Sequence, residues 1–98
     1  MEIQTEWNDK TCILKPHGRI DTLTYGDLEA VVTEVCEKCD KLVMDMSGVD
    51  YVSSAGIRVI IMAHQTAGAD SFVLKSVQPN IMQLLTMTGF HKVLNFED

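Results

Sequence analysis

In the first half of this chain a helical stripe runs directly into a strand-like apolar run, and that junction constrains the fold more than any other feature. Leu28, Val31, Val32, Val35, Cys36 and Cys39 recur at i, i+3, i+4, i+7, i+8 and i+11, one face of a helix starting near Thr24. Lys41-Leu42-Val43-Met44-Asp45-Met46 follows at once as an apolar strand. A strand, helix, strand order repeated along a chain implies right-handed crossovers and parallel pairing.

The rest of the sequence repeats that order. Ile3 to Trp7 and Thr11 to Lys15 are β-prone runs separated by the turn-forming trio Asn8-Asp9-Lys10, so they read as an opening hairpin that Pro16 and Gly18 end. Thr24 and Asp27 have the spacing of a capping box at the start of the first helix. Ser47-Gly48-Val49-Asp50 breaks the strand after it. A second helix then carries Ile57, Ile60, Ile61 and Ala63 to about Ala67-Gly68, with Arg58, His64 and Gln65 on or beside its outer face. Ser71 to Lys75 reads as a strand, Pro79 to Gly89 as a third helix with a proline suited to its first position and a glycine just past its end, and Val93 to Phe96 as a last strand. The expectation is a single α/β domain over residues 1–98, with a mixed, mostly parallel sheet of four to five strands, an N-terminal hairpin and three to four helices.

Composition narrows the function. Apolar residues make up 46% and charged residues 22%, which is ordinary for a globular protein and wrong for a disordered one. The formal charge is −6, and the eight Lys and Arg are scattered, so neither nucleic acid nor anionic lipid is an expected partner. With no leader-like start and no run of roughly 18 apolar residues, the expected location is the cytoplasm.

Cys12, Cys36 and Cys39 cannot all pair with one another. The C-x-x-C spacing of Cys36 and Cys39 closes a helix, where the negative end of the dipole raises a thiol pKa, so packing roles are expected of them. Neither Cys12 nor His17, His64 and His91 supplies a second pair with zinc-site spacing. Asp21, Asp45 and Asp50 fall near strand ends, where three converging acids could hold a metal, but solvated caps and turns account for Asp21 and Asp50, and no spacing among the three is diagnostic of a metal site. No glycine-rich phosphate loop followed by a lysine is present, and nothing in the sequence asks for a cofactor.

Tyr51-Val52-Ser53-Ser54-Ala55-Gly56-Ile57 puts two hydroxyls where a turn becomes a helix. One serine is explained as a cap, worth about 0.5–2 kcal/mol. Gly56 is not explained that way, since alanine would be better in a helix by about 0.8–1 kcal/mol. Glycine there lets another backbone or protein surface come close. The second hydroxyl suits phosphorylation, because a phosphate at a helix N-terminus meets free N–H groups. Two unit charges about 6 Å apart at an effective dielectric near 20 repel by roughly 2.8 kcal/mol, about a hundredfold in affinity. The dipole gain is under about 1 kcal/mol at an exposed site, so a phosphate here should chiefly break contacts with a partner.

A nucleophilic serine is the alternative chemistry. Val52-Ser53-Ser54-Ala55-Gly56 has half of a G-x-S-x-G elbow, with Val52 in the first glycine position. His64 lies ten residues along the same helix, about 15 Å from Ser54 at 1.5 Å per residue. It is too far to activate that hydroxyl. His17 and His91 stay open as bases at this level, but the expectation is a non-enzymatic docking domain.

Taken together, these residues resemble a known family. Gly18-Arg19-Ile20-Asp21, the run from Val43 through Asp50 to Ile57, and Leu85-Thr86-Met87-Thr88-Gly89-Phe90 are similar to the turn, central signature and closing segment of STAS domains of the bacterial anti-sigma factor antagonist type. The resemblance covers essentially the whole chain. It implies partner switching: the unphosphorylated form binds an anti-sigma factor that is also a serine kinase and frees the sigma factor, phosphorylation reverses this, and a metal-dependent serine phosphatase restores the active form. Aligned on Gly56, the phosphoacceptor falls on Ser54 and the turn aspartate on Asp21. Asp21, Ser53, Ser54, Gly56 and Arg58 are then the implied partner-binding residues. Ser53 stands where many phosphorylated members have an acidic residue, and Ala55 where they often have a second hydroxyl. STAS domains also serve as non-phosphorylated docking subunits of transport and signalling complexes, which is the alternative role.

Overall fold

The chain first reverses at Asp9, whose φ of 60° is the left-handed conformation that Asp tolerates in tight turns. The structure, a computed structural model, describes residues 1–97. On either side of the reversal, β1 (Glu2–Asn8) and β2 (Thr11–Ile20) pair antiparallel from Glu2↔His17 to Asn8↔Thr11.

β2 runs well past Pro16 and Gly18, where the sequence pattern ends it. Its parallel pairing with β3 (Lys41–Asp45) stops at Leu14↔Met44, and its pairing with β4 (Val49–Val52) begins only at Gly18↔Val49. Gly18 donates its N–H to Gly48 O at 2.8 Å on that side. Side alternates with a period of two along a strand, so the position of the missing Pro16 N–H falls in the interval between the two partners, where it forfeits no ladder bond. Gly18, at φ 99°, then takes up an irregularity in register before Arg19 instead of terminating the strand.

The helices lie where expected, except that the first ends at Cys36 and leaves Cys39 beyond it, after the turn at Glu37 and Lys38. α1 is Tyr25–Cys36, α2 is Ser54–Ala67 and α3 is Pro79–Met87. β5 (Phe72–Lys75) pairs parallel with β3, and β6 (Phe96–Glu97) pairs parallel with β5, giving the order β1-β2-β3-β5-β6 with β4 beside the end of β2. Among the described residues the sheet thus has six strands, one more than the upper expectation. The extra strand is β4, read in the sequence as part of a break. Val49 and Val52 are buried while Asp50 and Tyr51 are exposed, so the segment lacks the alternation that marks a half-buried strand. The final strand also starts later than Val93, because Phe90–Lys92 form a 3-10 turn after Gly89 at φ 82°.

The capping box does not form. Thr24 Oγ1 accepts the Asp21 N–H at 3.0 Å and donates to Arg19 O at 2.7 Å, so it closes the turn before α1 and caps none of the helix's own N–H groups. Asp27 pairs with the α-amino group of Met1 at 2.8 Å.

Leu14, Leu42, Met44 and Phe72 from the strands meet Leu28, Val32, Ile60 and Leu85 from the helices in one core, each with no exposed surface. Each such side chain contributes on the order of 1.5–3 kcal/mol by leaving water. No polar or charged side chain is buried among the described residues. Among them too, no helix is long and apolar enough to cross a membrane.

Candidate functional site

The parallel register Ile20↔Val52 sets the residues after β2 beside those after β4. Open α/β sheets present their functional groups at such carboxyl ends. Asp21 leaves one strand there and Ser53 the other. The Ser53 N–H donates to Ile20 O at 2.9 Å and joins the two exits directly.

The adjacent serines have different tasks. Ser53 is extended, at φ −88° and ψ 178°, and its hydroxyl accepts the Gly56 N–H at 3.4 Å, which makes it the cap of α2. Ser54 is the first helical residue. It is exposed, and its hydroxyl makes no hydrogen bond among the described residues. No histidine therefore lies within hydrogen-bond reach of it. His64, half-buried toward the far end of α2, instead meets the Phe72 ring edge-on with centroids 6.4 Å apart.

Gly56 is buried, and the close approach it allows is to the chain's own backbone. A Cβ at this position would lie 2.7 Å from Ile20 O, 2.7 Å from Val52 Cγ1 and 2.9 Å from Ile20 Cγ2. The glycine seats the first turn of α2 against the end of β2 and so fixes where Ser54 stands.

Asp21 is fixed by its own turn. Its Oδ1 accepts the Leu23 N–H at 3.0 Å and shares the Thr24 hydroxyl proton with Arg19 O as the longer of two acceptors, at 3.3 Å, while Arg19 Nε donates to Oδ2 at 3.4 Å. The Leu23 N–H, aided by Arg19 and Thr24 against a smaller burial effect, holds this carboxyl below its ordinary range. The Arg19 guanidinium also lies over the Tyr51 ring, 4.1 Å from its centroid, and so ties the β2 exit to the β4 exit.

Arg58 is exposed one turn beyond Ser54, on an open groove of about 340 Å³ that Tyr25 and Glu29 of α1 line with Ala55, Val59 and Met62 of α2. The structure thus brings Asp21, Ser53, Ser54 and Arg58 to one end of the domain. It adds residues that the sequence reading passed over. Leu23 is 90% exposed on the turn beside Asp21, too much for a side chain that serves the fold, and Tyr25, at the start of α1, and Tyr51, under the Arg19 guanidinium, are partly exposed. The i, i+2 spacing of Arg19, near the end of β2, and Asp21, just past it, was the signal available for Arg19.

The three acids do not converge. Asp45 Oδ1 accepts the Ser47 N–H at 3.0 Å, and the Asp50 carbonyl accepts from Asn80 Nδ2 at 3.0 Å. Burial pushes the Asp45 carboxyl up, but Ser47 with the charges of Lys75 and Lys15 outweighs it, and the net shift is downward. Among the described residues no group of three His, Cys, Asp or Glu has the arrangement to hold a metal ion. Burial, and then the Cys39 and Cys36 thiols, push the Cys12 thiol up to about 11. Burial and Cys39 do the same for Cys36, also to about 11. Neither is a thiolate at neutral pH.

The chain belongs to the STAS domain family, whose model matches residues 2–98. Among curated proteins it is 26% identical over 95 residues to BtrV of Bordetella bronchiseptica, a provisionally named anti-sigma factor antagonist, covering 92% of this chain and 80% of that one. Its fold is that of an anti-sigma factor antagonist from Mycobacterium paratuberculosis, with a TM-score of 0.87 at 23% identity over 97% of this chain and 83% of the other. It is also that of the Bacillus cell fate determinant SpoIIAA in its phosphorylated form, with a TM-score of 0.75 at 12% identity over 99% of this chain and 92% of the other.

Proposed function

We propose that this domain is an anti-sigma factor antagonist whose binding is switched off by phosphorylation of Ser54. The observation that carries the reading is the division of labour at the start of α2. Ser53 caps the helix, and Ser54 is left exposed with no hydrogen bond among the described residues, so a kinase can reach its hydroxyl without dismantling the fold. The family membership and the names of BtrV and SpoIIAA support it. The unmodified face formed by Asp21, Leu23, Ser54 and Arg58 docks onto an anti-sigma factor that is also a serine kinase. A phosphate added there repels that partner, and a serine phosphatase resets the switch. The domain acts by docking and catalyses no reaction, and its place of work is the cytoplasm, where sigma factors act.

The test is phosphate transfer from ATP by the anti-sigma factor kinase of the same cell. Wild-type chain is expected to be labelled and Ser54→Ala to remain unlabelled. Undiminished labelling of Ser54→Ala would move the acceptor elsewhere.

A further inference from the structure

Two arginines stand near the end of the domain that carries Ser54, and they differ in what they already hold. Arg19 is occupied, stacked on Tyr51 and bonded to Asp21. Arg58 is exposed, and no carboxylate comes within 4.0 Å of it among the described residues. It is the sole Lys or Arg of α2.

Helix geometry puts Arg58 within reach of the acceptor. Residues four apart on a helix have Cβ atoms about 5–6 Å from each other, and an acid placed N-terminal to its base is the favourable order. A helical side chain also leans over the turn before its own Cα, which for Arg58 is the turn that begins at Ser54. The guanidinium fork matches phosphate oxygens in a bidentate manner. Glu29 and Tyr25 are the ionisable groups that α1 sets beside Arg58 in the groove, and Asp21 stands on the preceding turn.

We propose that a phosphoryl group on Ser54 is bound within the same chain by the guanidinium of Arg58, so that modification also withdraws this cation from the partner. The proposal rests on Ser54 being the acceptor, as above. It gives the switch a second component besides repulsion, because the arginine that faces the partner in one state faces the phosphate in the other.

The experiment installs phosphoserine at position 54 during synthesis and follows its phosphorus resonance against pH. Because no kinase is involved, the titration reads the Arg58 contact alone, and the labelling assay above reads the acceptor alone. In the parent chain the second ionisation is expected at a pH lower by roughly 0.3 than in Arg58→Gln, the size of an exposed i, i+4 pair. Arg58→Lys should recover part of that difference, and Lys38→Gln, which removes a cation from beyond the other end of α1, should leave the parent curve in place. Coincident curves for parent and Arg58→Gln, or an equal displacement by Lys38→Gln, would overturn the contact. In the unmodified chain, Arg58→Gln is expected to weaken capture of the anti-sigma factor about two- to fivefold. Undiminished capture removes the claim that the partner uses this arginine.

Discussion

The hydroxyl of Ser53 accepts the Gly56 N–H at 3.4 Å, and this bond separates the duties of two adjacent serines. Ser53→Ala is therefore expected to lower stability by about 0.5–1 kcal/mol, the lower part of the capping range because the bond is long. Ser54→Ala should stay within about 0.5 kcal/mol of wild type, as surface substitutions do. Urea unfolding of the two variants checks the pair, and equal losses would contradict the division.

Gly56→Ala sets helix propensity against packing. Alanine favours the helix by about 0.8–1 kcal/mol, but its Cβ would stand 2.7 Å from the Ile20 carbonyl oxygen, a backbone atom that cannot rotate away. Overpacking of this kind costs about 1–3 kcal/mol. The net expectation is a loss of stability of up to about 2 kcal/mol, weighing the two ranges. A substitution that stabilised the chain in thermal melting would refute the internal contact.

Acid should unfold this domain partly through two carboxylates. Asp21 and Asp45 both have folded-state pKa values below their ordinary ones. Groups depressed in this way contribute stability above about pH 4, the unfolded carboxyl value, and lose it as pH falls through the folded value. Asp21→Asn is expected to flatten the acid limb of a stability-against-pH profile. An unchanged slope between about pH 4 and pH 2 would show that the Leu23 N–H does not favour the ionised carboxyl.

Thiol chemistry offers a fourth check. With Cys12 and Cys36 raised to about 11, the folded chain should react with a thiol reagent at pH 7.5 far more slowly than the same chain in denaturant. Rapid modification of the native protein would mean that burial does not control these sulfurs.

What the sequence revealed, it revealed through periodicity. The stripe from Leu28 to Cys36 located α1, although its continuation to Cys39 ran past the helix end, Pro79 and Gly89 bracketed α3, and the parallel crossovers followed from their order. β4 escaped because Val49-Asp50-Tyr51-Val52 is too short and lacks alternation, and its strand character comes only from pairing with β2. Pro16 misled for a related reason, since the gap between two partner strands that excuses it is a property of the sheet. At the site, Ser53 and Ser54 were visible as a pair of hydroxyls. Which one caps depended on where the helix begins, a boundary that a sequence marks only to within a residue or two. The neighbour of Gly56 was illegible for the same reason, as nothing local reveals that Ile20 lies against it.

The alignment of Ile20 with Val52 works as a ruler between two segments far apart in the chain. Removing one residue from the Met46–Gly48 bend would slide β4 along β2, turn Val52 outward and carry the serines away from Asp21. Such a deletion would leave Asp21, Ser53, Ser54 and Arg58 in the sequence and still take apart the proposed docking face, because that face is held together by a spacing.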